Sequence, residues 1–418
     1  MKCRWPLVAA ALAATPLIAS SLSAQGSQDL AWNQWLGPQR TGHSPATDLL
    51  AEWPEAGPKL AWKKTGLGLG FASVSFASDR IFTMGEVDGE ARIFALSRSD
   101  GEVIWSAKLG SPGGRRNPGP RATPSTDGEL VFGLGHAGEL VCVSAKSGKA
   151  KWRKHLVNDF GGKMMSGWGY SESPLLDGDL LICTPGGSKG AVLALHKKTG
   201  KLAWRCKELK DAAAYSSLLP VEIDGISQYI VFTGKSVAGV AAKDGELLWQ
   251  GDRPGKTAIC STPVYSGGYL FVSSGYNVGC TGFKITRRSK GFDVEEIYAG
   301  KQMQSHHGGM VLVGDHVFGL GRRSLKCIEL KTGEVVWENP SVGKGSITYA
   351  DGHLVVRSEK RTGELALVVA TPEGYQERGR FDQPDPSGEP YWAYPVIFDG
   401  RLYVRDQGVL LCYDVSSD

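Results

Sequence analysis

The sequence predicts an all-β protein, an eight-bladed propeller of four-stranded blades, on three observations. One phrase recurs along the chain: ALSRSDGEVIW closes at Trp105, CVSAKSGKAKW at Trp152, ALHKKTGKLAW at Trp204, GVAAKDGELLW at Trp249 and CIELKTGEVVW at Trp337. A second hairpin phrase stands ahead of the copies, as in TPSTDGELVFGLG and SPLLDGDLLICTP. The two chain ends complement each other: LLCYDV finishes as a third strand lacking a fourth, and KLAW, residues 59–62, is an outer strand with no hairpin before it.

Each element follows from local chemistry. Asp-Gly, Ser-Gly and Thr-Gly turns supply the positive φ of a tight hairpin, and their flanks alternate with period two, as strands do. Turns about every 8 to 12 residues match blade spacing, and no helical period competes. Weaker copies run over residues 258–298, closing on Tyr298, and 343–381, closing near Phe381. With Trp62, these outer strands number eight, and residues 59–415 divide into about 45 per blade. The strand at 59–62 completes the last blade and closes the ring. The recurring tryptophans read as architecture, large rings packed over glycine turns of the neighbouring blade.

The 418 residues, 41% of them hydrophobic, are enough for a sizeable core and exclude collagen and disorder. Net charge is +4, and +2 without Lys2 and Arg4, too little for a nucleic-acid-attracting field. Residues 1–24 read as a signal peptide: Lys2 and Arg4, an apolar run from Leu7 to Ile18, then Leu22-Ser23-Ala24 before Gln25. No cysteine follows at a lipidation position. The expected organisation is an N-terminal extension over 25–58 and the propeller over 59–415, periplasmic or secreted, without a membrane span. A monomer is expected because ring closure removes sheet edges. Seven cysteines remain after Cys3, without a CxxC; Cys142, Cys327 and Cys412 read as buried hydrophobes, and Cys183 with Cys206 is the one pairing to consider.

The A-x-D-x-x-T-G-x-x-x-W pattern resembles the quinoprotein-type (PQQ-like) repeat of eight-bladed propellers, a family that includes PQQ-dependent dehydrogenases and the outer-membrane assembly propeller. WNQWLGPQRTGHSP, GGKMMSGWGYSESPLLDGDLLICTPGG, HHGGMVLVGD and YWAYPVIFDGRLYVRDQGVLLCYDV resemble a secreted bacterial group of PQQ-like propellers of largely unassigned role.

Aligning the blades on their inner turns places Arg121, Ser171-Glu172, Tyr215-Ser216, Cys260, His306-His307, Lys344-Gly345 and Trp392-Ala393-Tyr394 near the start of the innermost strands, at the channel mouth. These positions differ between blades and several are large and polar, which a purely structural repeat does not require. Two long connections feed the same face: residues 106–120 carry Arg115 and Arg116, and residues 153–169 carry Lys163, Met164, Met165 and Trp168. The candidate ligand site is therefore Arg121, Trp168, Tyr170, Glu172, His306, His307, Lys344 and Trp392. On a strand the two histidines point to opposite faces, one to the channel and one to a neighbouring strand, so no metal site is expected. GLGLG at 66–70 has no following helix, and neither GxSxG nor HExxH occurs.

Two functions follow. The first is a ligand- or protein-binding scaffold, without chemistry or cofactor, whose basic and aromatic mouth grips a protein, a glycan or an anionic small molecule. The second is what the resemblance implies for its dehydrogenase members: PQQ held over the channel with Ca²⁺, oxidising alcohols or sugars. There Arg121, Lys344 and Trp392 would hold PQQ and Glu172 would offer an oxygen to Ca²⁺. The family's adjacent cysteine pair and a channel-mouth aspartate are both missing, so the sequence leans towards the scaffold. An assembly propeller is a third reading, weakened by the missing lipidation cysteine.

Overall fold

The computed structural model describes Met1 and residues 32–417 other than 115 and 361. The leader read at 1–24, apart from Met1, lies outside the described residues, as do Cys3 and Arg115. Among the described residues, thirty-two strands form eight four-stranded antiparallel sheets. They are the blades of a ring, an eight-bladed β-propeller. The inner strands are Ser75–Ala77, Ser125–Thr126, Leu175–Asp177, Leu219–Ile223, Val264–Ser266, Met310–Val313, Gly345–Ala350 and Val396–Phe398. The eighth blade is shared between the chain ends: Lys59–Lys64 pairs with Val409–Asp414, placing Trp62 opposite Cys412. No helix of the described residues is long and apolar enough to cross a membrane.

The core lies between blades, where alternate residues of neighbouring sheets interdigitate, as Phe82, Ile93, Phe132 and Val141 do. The closing aromatics lock these layers. The Trp105 ring covers Gly148 of the next blade and its indole N–H donates to the Ala145 carbonyl, 3.0 Å. Trp62 sits likewise over Gly101, Trp152 over Gly200, Trp204 over Gly245 and Tyr298 over Gly333. Phe381 completes the series over Gly57, which precedes the strand that closes the ring. Two depart from it: Trp337 lies over no glycine and donates its indole N–H to the Thr371 carbonyl of the next blade at 2.9 Å, and Trp249, 5% exposed, turns into its own blade and donates to Gln228 Oε1 at 2.6 Å. In every blade the register of the third and outer strands also shifts, as where Ala95 faces Trp105 but Leu96 faces Val103. Such bulges add the twist that turns the outer edge of a blade.

These contacts yield a stability test. Gly245 has φ +80°, and a Cβ there would lie 2.4 Å from the Trp204 ring. Gly245→Ala should therefore cost about 2–3 kcal/mol, left-handed strain plus a displaced indole. Trp204 is half-buried and its indole N–H has no partner, so Trp204→Ala should cost less than the loss of a fully buried tryptophan. Urea midpoints of the two variants check both; a neutral Gly245→Ala would undo the blade-locking account.

All seven cysteines of the described residues are free thiols, Cys183 and Cys206 included. The third strand separates them, Cys183 facing Leu193 and Cys206 facing Val192. A bond between them has no geometric basis.

The segment ahead of the ring closes one end of the channel. The Trp32 and Asn33 carbonyls accept from Phe76 and Thr126 N–H, at the base-side ends of the first two inner strands. Gln34 Oε1 accepts from Leu176 N–H of the third blade, and the Trp35 indole donates to Thr262 Oγ1 of the fifth, 3.1 Å. Gly42 and Ser44 bond Tyr349 of the seventh, and Leu50 bonds Val415 beside the eighth. Arg40, 1% exposed, donates to the carbonyls of Ser173 (3.0 Å), Pro174 and Leu218 (3.2 Å), across the third and fourth blades. The sequence marks this segment only as an extension. In the fold it is a plug at the base, where the inner strands turn.

Candidate functional site at the channel mouth

At the opposite end, where the inner strands begin, the ring opens into a cleft of about 320 Å³. It is lined by Arg121, Trp168, His306, His307, Lys344 and Trp392, together with Ser171, Tyr215, Cys260 and Tyr394, all from the aligned strand starts or the long connections. Phe71, Asn117, Thr257, Ala258, Tyr276, Glu359 and the plug residue Trp35 complete it. The Trp35 ring meets Tyr394 edge-on at 4.5 Å, so the plug contributes part of the cleft's lining.

Two sequence candidates lie elsewhere. Tyr170 is 2% exposed and its hydroxyl donates to the Pro185 carbonyl at 2.9 Å, bracing the long connection against its own blade. Glu172 is likewise 2% exposed; Oε1 accepts from Thr184 N–H, and Oε2 has no hydrogen-bond partner. The backbone from Trp168 to Glu172 passes from rim to interior, so only its first residue and Ser171 reach the cleft. Arg116 is exposed on the rim outside the cleft.

The histidine pair departs from the strand reading. His306 and His307 lie in a bend ahead of Met310–Val313, so strand alternation does not separate them. Their rings stack, centroids 4.0 Å apart, and both line the cleft. They belong to a continuous row of rings: Phe71 on Trp392 at 4.3 Å, Trp392 on His307 at 4.1 Å, and His306 edge-on to Tyr276 at 4.9 Å.

Glu359 is the polar hub that the sequence alignment overlooks. Lys344 Nζ lies 2.9 and 2.8 Å from its two oxygens, the Trp392 indole donates to Oε1 at 2.8 Å, and His307 Nδ1 lies 3.4 Å away. Burial alone would raise this carboxyl, but His307 and Lys344 outweigh it and hold it down to about 2. Burial, then His307 and Lys344, push His306 down to about 3. Burial also lowers His307, against the pull of Glu359. At neutral pH the row therefore presents two neutral imidazoles beside an ionised, fully engaged carboxylate. Across the cleft Arg121 donates to the carbonyls of Asn117 (3.0 Å) and Trp168, contacts His136 Nδ1 at 3.2 Å, and lies 6.0 Å from the Trp168 ring centroid. Burial lowers its pKa. Cys260 is an unreactive neighbour, its thiol pushed up to about 12 by burial.

The fold and this mouth define a class of protein, the eight-bladed PQQ-like repeat propellers. The family model described as outer membrane protein assembly factor BamB matches residues 89–339, and the chain belongs to that family. Among curated proteins it is similar to outer membrane protein assembly factor BamB of Burkholderia pseudomallei, 27% identical over 262 residues, 59% of this chain and 64% of that protein. The alignment thus spans under two thirds of that relative's length. Among solved structures it is similar to BamB from Moraxella catarrhalis (16% identity, TM-score 0.57, covering 82% of this chain and 94% of that one). It is also similar to quinohemoprotein alcohol dehydrogenase ADHIIG from Pseudomonas putida HK5 (13% identity, TM-score 0.61, covering 94% and 81%). At these identities the likeness is one of fold.

The residues present do not fit PQQ with Ca²⁺. Trp392 already packs against Phe71 and His307, with ring centroids at 4.3 and 4.1 Å. The cleft's carboxylate, Glu359, is saturated by Lys344, Trp392 and His307, and Glu172 does not reach the cleft. Among the described residues no three His, Cys, Asp or Glu side chains converge as a metal site.

Proposed function

We propose that the protein is an extracytoplasmic binding propeller, periplasmic or secreted, that holds a ligand or a partner protein at its mouth and performs no chemistry there. The observation that carries this reading is the cleft itself: plugged from below, walled by a non-repeating row of rings, and flanked by Arg121, with its carboxylate already engaged. A carboxylate held near pKa 2 and an imidazole, His306, pushed down to about 3 make poor proton-transfer groups at neutral pH. Kinship with an outer-membrane assembly factor supports a scaffold role, since that relative's name is one of assembly rather than catalysis. The ligand class favoured by the lining is an anion with flat or ring-shaped apolar faces: the rings supply stacking area and Arg121 the charge.

The test uses the full mature chain. Anilinonaphthalene sulfonate, a flat aromatic anion, should bind the mouth, and Arg121→Gln should weaken it about tenfold, the loss of one charge-assisted hydrogen bond. PQQ with Ca²⁺ should produce no dye reduction with alcohols or sugars. Tight Ca²⁺-dependent PQQ binding with dye reduction would replace the scaffold by an oxidoreductase.

A further inference from the structure

The mouth rim carries its charge in one sector. From Lys256 to Lys344 the loops that reach this face hold Lys256, Lys301, Arg322, Arg323 and Lys344 and no acid. The 88–89 turn of the first blade and the connection into the last blade instead carry Asp88, Asp382, Asp385 and Glu389. Within the basic sector two shallow clefts follow one another around the rim. One of about 490 Å³ is lined by Arg322, Arg323, Lys344, Glu359 and Lys360, and the next, of about 340 Å³, by Lys301, Gln304, Arg322, Arg323 and Lys326. The first shares Lys344 and Glu359 with the ring-walled mouth cleft, so the three form one track. Lys344 and Lys326 are engaged by Glu359 and Glu338. Lys301, Arg322, Arg323 and Lys360 are exposed and have no acidic partner among the described residues. Gln304, lining the outer cleft, has a buried Oε1 without a hydrogen-bond partner, an acceptor that needs a donor.

We infer that this track binds an acidic polysaccharide, one sugar seated among the rings of the mouth and the chain running outward over Arg322 and Arg323; the inference rests on the mouth cleft being a binding site. The repeating anionic groups of such a chain match a line of unpaired cations. Its sugar rings offer flat C–H faces to Trp168 and Tyr276, which stand 36% and 51% exposed at the mouth. An acidic peptide segment would satisfy the cations and leave these rings without a partner. Charge carried as carboxylate or as sulfate would serve equally, so the shared feature is an anionic group on each sugar repeat.

The experiment measures binding to the immobilised full chain of four polymers of matched length: oligogalacturonate, sulfated dextran, neutral dextran and polyglutamate. One or both acidic glycans should bind, weakening with salt, and the preferred one names the anionic group. Arg322→Glu with Arg323→Glu should weaken that binding about 30-fold, two exposed charge reversals together, while monomeric galacturonate is unaffected. Unchanged oligomer binding in that variant would overturn the track, as would neutral dextran binding equally well. Polyglutamate binding as tightly would assign the sector to an acidic protein segment instead. Trp168→Ala with Tyr276→Ala tests the cleft separately: if monomer binding is unchanged there, the mouth reading fails whatever the basic track does.

Discussion

Arg40→Ala should be among the most destabilising single substitutions in the protein, costing about 3–5 kcal/mol. Its guanidinium is fully buried inside the channel and joins carbonyls of two blades, Ser173 and Pro174 in the third and Leu218 in the fourth. Removing it leaves these oxygens facing a cavity, and each stranded acceptor costs about 1–3 kcal/mol. It also unseats the plug from the middle, because Gln34, which Arg40 contacts at 3.4 Å, itself accepts the Leu176 N–H. Two readings check this. Urea denaturation gives the midpoint, and limited proteolysis should cut residues 32–58 in the variant under conditions that spare the wild type. Arg40→Lys should fall between, since one ammonium cannot reach three carbonyls in a fixed fork. A wild-type midpoint with an uncut segment would mean that the plug is held by its backbone bonds alone. The variant should also affect the mouth, because Trp35 from the same segment lines the cleft there.

That dependence explains what the chain reveals by inspection and what it conceals. The blade count, the ring closure and the tryptophan–glycine contacts other than those expected of Trp249 and Trp337 are legible, because eight copies repeat one local solution and each copy corroborates the others. Arg121, His306, His307, Lys344 and Trp392 were legible as departures from that repeat at aligned positions. Glu359 was missed although its signal exists. Antiparallel register about the Asp351-Gly352 turn pairs Gly345 with Ser358, and one step further outward Lys344 lies opposite Glu359. Aligning only the starts of inner strands ignores the ends of second strands, which reach the same rim. The histidine pair was misread for the opposite reason: strand alternation was applied to residues that precede the strand. Trp35 and Arg40 left no signal. The plug occurs once, pairs with no repeat, and its side-chain partners are distant in the chain: Ser173 lies 133 residues from Arg40 and Thr262 lies 227 from Trp35. The inward course of Glu172 was hidden as well, because a one-residue difference in a connection decides whether a side chain faces cleft or core.

That buried carboxyl should leave a pH signature. Burial pushes Glu172 up to about 7, against the Thr184 hydrogen bonds and the Arg40 charge. In the unfolded chain a glutamate titrates near about 4.3. Between those values the folded protein binds up to one proton more than the unfolded, so stability falls as pH rises from about 4.3 to 7 and stays reduced above, by about 4 kcal/mol in all. Glu172→Gln removes the ionisation and keeps an oxygen for the Thr184 N–H, at the cost of a new amide donor that needs a partner. Relative to wild type, the variant should be equal or slightly less stable at pH 4 and about 2 kcal/mol more stable at pH 8. The decisive quantity is the difference in urea midpoints between the two proteins across that range; a difference independent of pH would show that Glu172 is not the titrating group. Arg40 supplies the internal control. Its positive charge is among the forces that lower the Glu172 pKa, so in an Arg40→Ala background the carboxyl should titrate higher still. The two substitutions should then combine non-additively above pH 7, as expected of two buried groups that share one electrostatic environment between plug and blade.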